Sequence, residues 1–359
     1  MKLLFTYFIP SGGIETLNRL RYHALGAAGI EVHALYLWNG AGTQNMAGIP
    51  HFVTNNDFEI LEVLRNGYDA VVVICDHLML QRLRGLGYGG PLIYEAQGLG
   101  TKEQAEGTLA FASAFIRMYA QGVISPPTSH LMDIFQRYLG DFPRFYVQNM
   151  IDTGQFSHRP SPWLNPDGDP IVGWIGRLEA NKNWPLCLRI AARLAAEKPN
   201  LRLWLFEDAT ISEPGERERF VALVRELGLE PNLVVRSNIP HSHMPHYLSA
   251  IGDSGGLLLS TSYAEGFGYA VAEAMSCRCP VVSTDSDGVR CFIDHDRTGK
   301  FFRSGGVDEA VSEARTLMND RALAERIRDE AQLHVRQHFS LGRYAADIVN
   351  VLTALGLRR

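Results

Sequence analysis

The run AVVVICD at positions 70–76 places apolar side chains at successive positions, which in an extended chain puts them on both faces. A strand of this kind has to be covered on both sides, the situation of a central strand in a parallel sheet. LLFTYF (3–8), EVHALYLW (31–38), PLIYEAQ (91–97) and GVIS (122–125) are similarly short and largely apolar. Each is long enough for a strand and too short for an independent helix. Helical periodicity fills the gaps, first from Ile14 to Ala28, where Gly29 stops it. The alternation predicts an α/β fold with a parallel sheet covered by helices.

The pattern breaks between His158 and Pro170. There HRPSPWLNPDGDP carries Pro160, Pro162, Pro166 and Pro170 with Gly168, a composition that sustains neither helix nor sheet and predicts a linker. It restarts with IVGWIG (171–176), a helix from Trp184 to Lys198, LRLWLFE (201–207), a helix from Glu216 to Leu227, and LVVRS (233–237). GLLLS (256–260), another helix and PVVST (280–284) follow. A chain of 359 residues exceeds what one core usually serves. The expected domains are therefore 1–160 and 161–340, with a C-terminal helix in 341–359 crossing back to the first. Two such sheets facing each other would bind ligand in the cleft at the carboxyl ends of their strands.

A net charge of -5 excludes a general electrostatic partnership with nucleic acid or anionic membrane. Five scattered cysteines, with no glycosylation sequon, fit reduced thiols in a cytoplasmic protein. No run of 18 apolar residues offers a transmembrane segment, which leaves peripheral contact as the only expected relation to a membrane. MKLLFTYF reaches Pro10 and Gly12 too soon for a signal peptide and is expected to be the first strand.

Three segments could carry chemistry. In Pro10-Ser11-Gly12-Gly13-Ile14-Glu15, adjacent glycines after a strand let backbone N–H groups approach an anion closely; the alternative is a tight turn. Gly176-Arg177-Leu178-Glu179-Ala180-Asn181-Lys182-Asn183 offers a planar guanidinium fork and a flexible ammonium, the pair of donors a diphosphate requires, with Asn183 placed to cap the next helix. The alternative there is a solvated loop with a weak Arg177–Glu179 pair. SYAEGFGYAVAEAMS (262–276) puts Glu265 in a loop, the free amides of Gly266, Phe267 and Gly268 at a helix start, and Glu273 in the second turn. Carboxylates accept from vicinal hydroxyls. Glu265 could instead serve only the helix dipole. Glu273 stands among Ala270, Ala272, Ala274 and Met275 with no basic residue three or four positions away, so it needs a partner from elsewhere.

Glu265-Gly-Phe-Gly-Tyr-Ala-Val-Ala-Glu273 resembles the E-x7-E signature of retaining glycosyltransferase family 4, whose fold, GT-B, has two Rossmann-like domains with parallel sheets facing across a cleft. GRLEANKN (176–183), NMIDTGQF (149–156), SGGIE (11–15) and DRTGKFF (296–302) are similar to further motifs of that family in order and spacing. The resemblance implies hexosyl transfer from a nucleoside-diphosphate-sugar donor to an acceptor (a saccharide, a lipid-linked sugar or a small molecule), with no cofactor and no metal. It implies that Glu273 holds the donor ribose, and that Arg177 and Lys182 bind the diphosphate. Glu265 and the backbone of Gly266, Phe267 and Gly268 would hold the transferred sugar, while Gly12 and Gly13 approach the phosphates or acceptor. A nucleotide-sugar epimerase of the same fold and a sugar-nucleotide-binding protein without turnover share these features.

The chain departs from the family pattern at Gln97, where a histidine is common, at Phe206-Glu207-Asp208 in place of a glycine-rich turn, and at Asp287-Gly288-Val289-Arg290-Cys291. Gln97 and the strand-end His77 are candidate sugar or acceptor contacts, and the loops 38–50 and 98–107 are expected to carry acceptor specificity. His241-x-His243-x-x-His246 has metal-like spacing but no nearby acid or cysteine to complete a site. Cys277-Arg278-Cys279 lacks redox spacing and is expected to be small and buried.

Overall fold

The computed structural model describes residues 1–357. The chain divides into two units, one of Met1–Met150 with the C-terminal segment from Phe339, the other of Ile151–His338. In the first, β1 (Lys2–Tyr7), α1 (Gly12–Ala27), β2 (Glu31–Tyr36), β3 (His51–Val53), α2 (Asp57–Leu64), β4 (Ala70–Ile74) and α3 (His77–Gly85) lead to β5 (Leu92–Glu95), α4 (Lys102–Tyr119), β6 (Gly122–Ser125), α5 (Ser129–Leu139) and β7 (Arg144–Tyr146). They form a seven-stranded sheet in the order β3-β2-β1-β4-β5-β6-β7, and each neighbouring pair is parallel. AVVVI of β4 is buried at every position, as its composition requires.

The second unit contains β8 (Ile171–Ile175), α6 (Trp184–Glu197), β9 (Arg202–Glu207), α7 (Glu216–Glu226), β10 (Leu233–Ser237), α8 (Met244–Asp253) and β11 (Leu257–Ser260). Then come α9 (Tyr269–Ser276), β12 (Val281–Thr284), β13 (Lys300–Phe302), α10 (Val307–Asn319) and α11 (Arg321–His338). Its six-stranded parallel sheet has the order β10-β9-β8-β11-β12-β13. Strand order turns back between β8 and β11, the place where ligands of doubly wound sheets bind. Trp174, Trp184, Leu188, Leu203 and Leu257 are core residues of this unit. Among the described residues no helix is long and apolar enough to cross a membrane.

α12 (Leu341–Ala354) packs with the first unit, where Arg21 Nε of α1 donates to the Tyr344 hydroxyl at 2.7 Å. The division at 150/151 falls ahead of the 160/161 boundary expected from the prolines. The Pro-rich segment is not a free linker, because side chains of the second unit hold it. His158 Nε2 donates to Asp253 at 2.9 Å, the Arg159 amide donates to Ser249 Oγ at 2.9 Å, and Ser161 Oγ is hydrogen-bonded to His246 Nδ1 at 2.7 Å. The second half of the expected loop 98–107 is helical. α4 starts at Lys102 behind a capping box of Thr101 and Gln104, which satisfies its first free amides.

Candidate functional site

The site residues of the second unit are carried by two loops and one helix. β8 delivers the chain to Arg177, and the turn Ala180–Lys182 follows. Asn183 does not cap α6 as expected: it takes a left-handed conformation (φ 47°), and its side chain makes no capping bond. The neighbouring Asn181 has the organising role. Its Nδ2 donates to Ala264 O at 3.0 Å, its Oδ1 accepts from the Ala264 amide at 3.2 Å, and its carbonyl accepts from the Tyr263 amide at 2.9 Å. Thr261 Oγ1 adds a bond to Lys182 O at 2.8 Å and accepts from Trp174 Nε1 at 3.0 Å. These bonds join the loop after β8 to the loop after β11.

Joined in this way, the loops bring two of the sequence candidates together. Lys182 Nζ donates to Glu265 Oε1 at 2.6 Å, with the side chains 22% and 16% exposed. Arg177 is placed differently, its guanidinium 3.1 Å from Glu179 Oε2 and its side chain 42% exposed. Gly268 is the N-cap of α9 at φ 87°, a conformation that favours glycine, and a Cβ there would meet Val289 Cγ1 at 2.8 Å. At Gly288 a Cβ would lie 2.3 Å from Glu265 O, so the altered loop after β12 lies directly against the Glu265–Gly266 backbone. Phe267 turns its ring into the core, 4.7 Å from Phe292 between ring centroids, which leaves only its backbone as a candidate donor.

Glu273 is 6% exposed on α9, and the partner that its apolar neighbours demand is His241, whose Nε2 donates to Oε1 at 2.9 Å. The acid absent from around the histidine cluster in sequence thus arrives from α9. His246 is bonded to Ser161, so the three histidines do not converge as ligands. Burial first, and then the Glu273 carboxylate, push the Cys277 thiol well above its ordinary value, and burial pushes Cys279 up to about 12. Both are inert core thiols, as expected. Glu207, the last residue of β9 in the altered segment Phe206-Glu207-Asp208, is bound by Arg217 through two bonds of 2.8 and 2.6 Å. Among the described residues, His295, Asp296 and Glu313 hold ligand-type atoms within 4.8 Å of one another. The Lys300 ammonium bonds both carboxylates of that group and offsets one of their two charges.

In the first unit, Gly12 opens α1 at φ 64° with open space around it, and Gly13 continues the first turn. Gln97 is committed to the protein: its Nε2 donates to Glu95 Oε1 at 2.5 Å, and its Oε1 accepts from Asn149 Nδ2 at 2.8 Å. His77 opens α3 after the N-cap Asp76 and packs its ring against Phe111 and Phe115, with centroids 5.3 and 5.1 Å away. Burial lowers its pKa.

Sequence reasoning missed Asn181 and His241. Asn181 stood inside the quoted GRLEANKN, but bonds to a loop 83 residues away leave no local trace. The signal for His241 was the unpartnered acid on α9, which required a donor without naming it.

Residues 158–334 match the family model for glycosyl transferases group 1. A 2-deoxystreptamine N-acetyl-D-glucosaminyltransferase of Streptomyces fradiae is 29% identical over 186 residues, 51% of this chain and 41% of that protein. The chain therefore spans under half the length of this curated relative. Among solved structures, Anabaena HepE in complex with UDP and glucose superposes with a TM-score of 0.84 at 20% identity, over 99% of this chain and all of that one. Sucrose-phosphate synthase from Thermosynechococcus elongatus superposes at 0.80, also at 20% identity, over 99% of both chains. The fold is that of the GT-B glycosyltransferases, two Rossmann-like domains with parallel sheets.

Proposed function

We propose that the chain is a retaining glycosyltransferase of family 4, moving a sugar from a nucleoside-diphosphate-sugar to an acceptor. The observation that carries this reading is the meeting of Lys182 and Glu265 at 2.6 Å, at the strand ends of the second unit, in the loop that leads into the helix bearing Glu273. An ammonium has three donors, so Lys182 holds Glu265 with one and keeps others for phosphate oxygens. Arg177 adds a planar fork for the same diphosphate. Glu265 and the backbone at Gly266–Gly268 take the hydroxyls of the transferred sugar, and Glu273 takes those of the ribose.

Departure of the diphosphate leaves an oxocarbenium-like centre and places negative charge on the leaving phosphate, where fixed cations stabilise it most. A leaving-phosphate oxygen accepts the acceptor proton on the same face, so the reaction needs no protein nucleophile, metal ion or cofactor. UDP-sugars are the first donors to test, since HepE was solved with UDP-glucose.

The test is a thermal-shift panel of UDP-, GDP-, ADP- and dTDP-sugars, followed by NMR of the anomeric configuration of the product. A true donor at 100 times its Kd adds about 2.7 kcal/mol to stability, a rise of several degrees, and Glu273→Ala removes most of it. Absence of any stabilising nucleotide sugar, or donor epimerisation without transfer, would sink the reading.

A further inference from the structure

Glu273 is a carboxylate withdrawn from water and then partnered from outside its own helix. Its side chain is 7% exposed and that of His241 is 15% exposed. His241 begins the single turn His241–His243 that follows β10, at the carboxyl edge of the second sheet. We infer that His241 is the positioning residue for Glu273, holding Oε1 so that the carboxylate is fixed when it meets the two hydroxyls of a nucleotide ribose. The inference rests on the reading of Glu273 given above.

Two further contacts make the arrangement rigid. The His241 ring packs against Phe156, with centroids 4.7 Å apart, and Phe156 is 2% exposed. The Phe156 carbonyl accepts from Ser276 Oγ, on α9 three residues beyond Glu273. Glu273, His241, Phe156 and Ser276 thus close a ring of contacts drawn from three separate segments. Phe156 ends NMIDTGQF, a segment whose resemblance to the family named no role, and bracing the histidine gives it one. A carboxylate accepts only, so Nε2 carries the hydrogen in either charge state of the ring. The imidazole therefore serves as a fixed donor in both.

A fixed, desolvated acceptor discriminates strongly against a ligand lacking the hydroxyls it awaits, because the acceptor is then left unpaired. The full-length protein is titrated with UDP and with 2′,3′-dideoxy-UDP, and the melting temperature of each variant is recorded alongside. Wild type is expected to prefer UDP by at least about tenfold. His241→Leu should lose most of that preference. His241→Gln, whose Nε2 reaches a similar place, should restore it, and in a Glu273→Ala background His241→Leu should add nothing. Loss of preference in Glu273→Ala with full preference in His241→Leu overturns the positioning role alone. Full preference in Glu273→Ala, or a wild type that binds no UDP, overturns the ribose reading and this inference with it.

Discussion

Each unit carries an acid–base pair near the end of a strand, and the two pairs differ in what surrounds them. Arg21 and Glu95 in the first unit are each 1% exposed. The rest of the guanidinium is consumed by the Tyr344 hydroxyl at 2.7 Å, Asn18 Oδ1 at 2.9 Å and the face of Phe5 at 4.5 Å. Burial works against the charge of Arg21, but Glu95 and Tyr344 more than offset it and hold its pKa above the ordinary value. Lys182 and Glu265 in the second unit lie within one bond of each other yet keep part of their surface in solvent. A sealed pair can only hold the fold together, whereas an open one can exchange part of its bonding for a ligand.

The most severe way to break this contrast is to remove one member of the sealed pair. Arg21→Met leaves the Glu95 carboxylate buried without its countercharge, with Gln97 as its remaining donor, which costs about 3–5 kcal/mol. At this domain size that lowers the melting temperature by roughly 10 °C. Calorimetry checks it, and the double variant Arg21→Met/Glu95→Leu should recover most of the loss. A melting temperature unchanged in the single variant would erase the distinction between the pairs.

Lys182→Ala should do the opposite. The partly exposed pair contributes less to folding than the sealed one, so the melting temperature falls by less than in Arg21→Met. Sugar transfer or donor hydrolysis should fall at least about tenfold, the loss expected when a cation is removed from the developing phosphate charge. Arg177→Ala, at a more exposed side chain paired with Glu179, should follow the same pattern with still less effect on melting. Turnover rates and melting curves measured on the same preparations decide both cases.

The smallest expected effect concerns pH. Burial lowers the pKa of both His33 and His77, in the first unit, from the ordinary 6.5. The unfolded chain then binds more protons than the folded one between the lowered values and 6.5. Stability is therefore intact above about 6.5 and declines as pH falls below it. His77→Phe, which keeps an aromatic ring against Phe111 and Phe115, should flatten that slope when melting temperature is followed from pH 7.5 to 5.5. An unchanged slope would remove His77 as a contributor.

Much of the fold was legible in the sequence because it is written in local periodicity. GVIS and LVVRS are strands at their expected bounds, and the helices from Trp184 and Glu216 end within one residue of theirs. β3, β7 and β13 were not expected. Each has three residues lying at the margin of a sheet, too short for an alternation to register. Gln97 is a candidate sugar or acceptor contact through the family resemblance, in which a histidine is common at that position. Its amide is engaged by Glu95 and also by Asn149, the latter 52 residues away, a distance over which sequence carries no pattern.

The sequence by itself determined the alternation of buried strands and helices, the two glutamates eight positions apart, and the demand of Glu273 for a partner. Those follow from hydrophobic periodicity and from the cost of an unpaired acid among apolar neighbours. Only the tertiary structure decided that Asn181 joins two loops so that Lys182 meets Glu265, that His241 answers Glu273, and that Arg21 is sealed against Glu95 and Tyr344. The physical reason is that each of these depends on a hydrogen bond of about 3 Å between residues tens to hundreds of positions apart, and packing alone brings such residues into range.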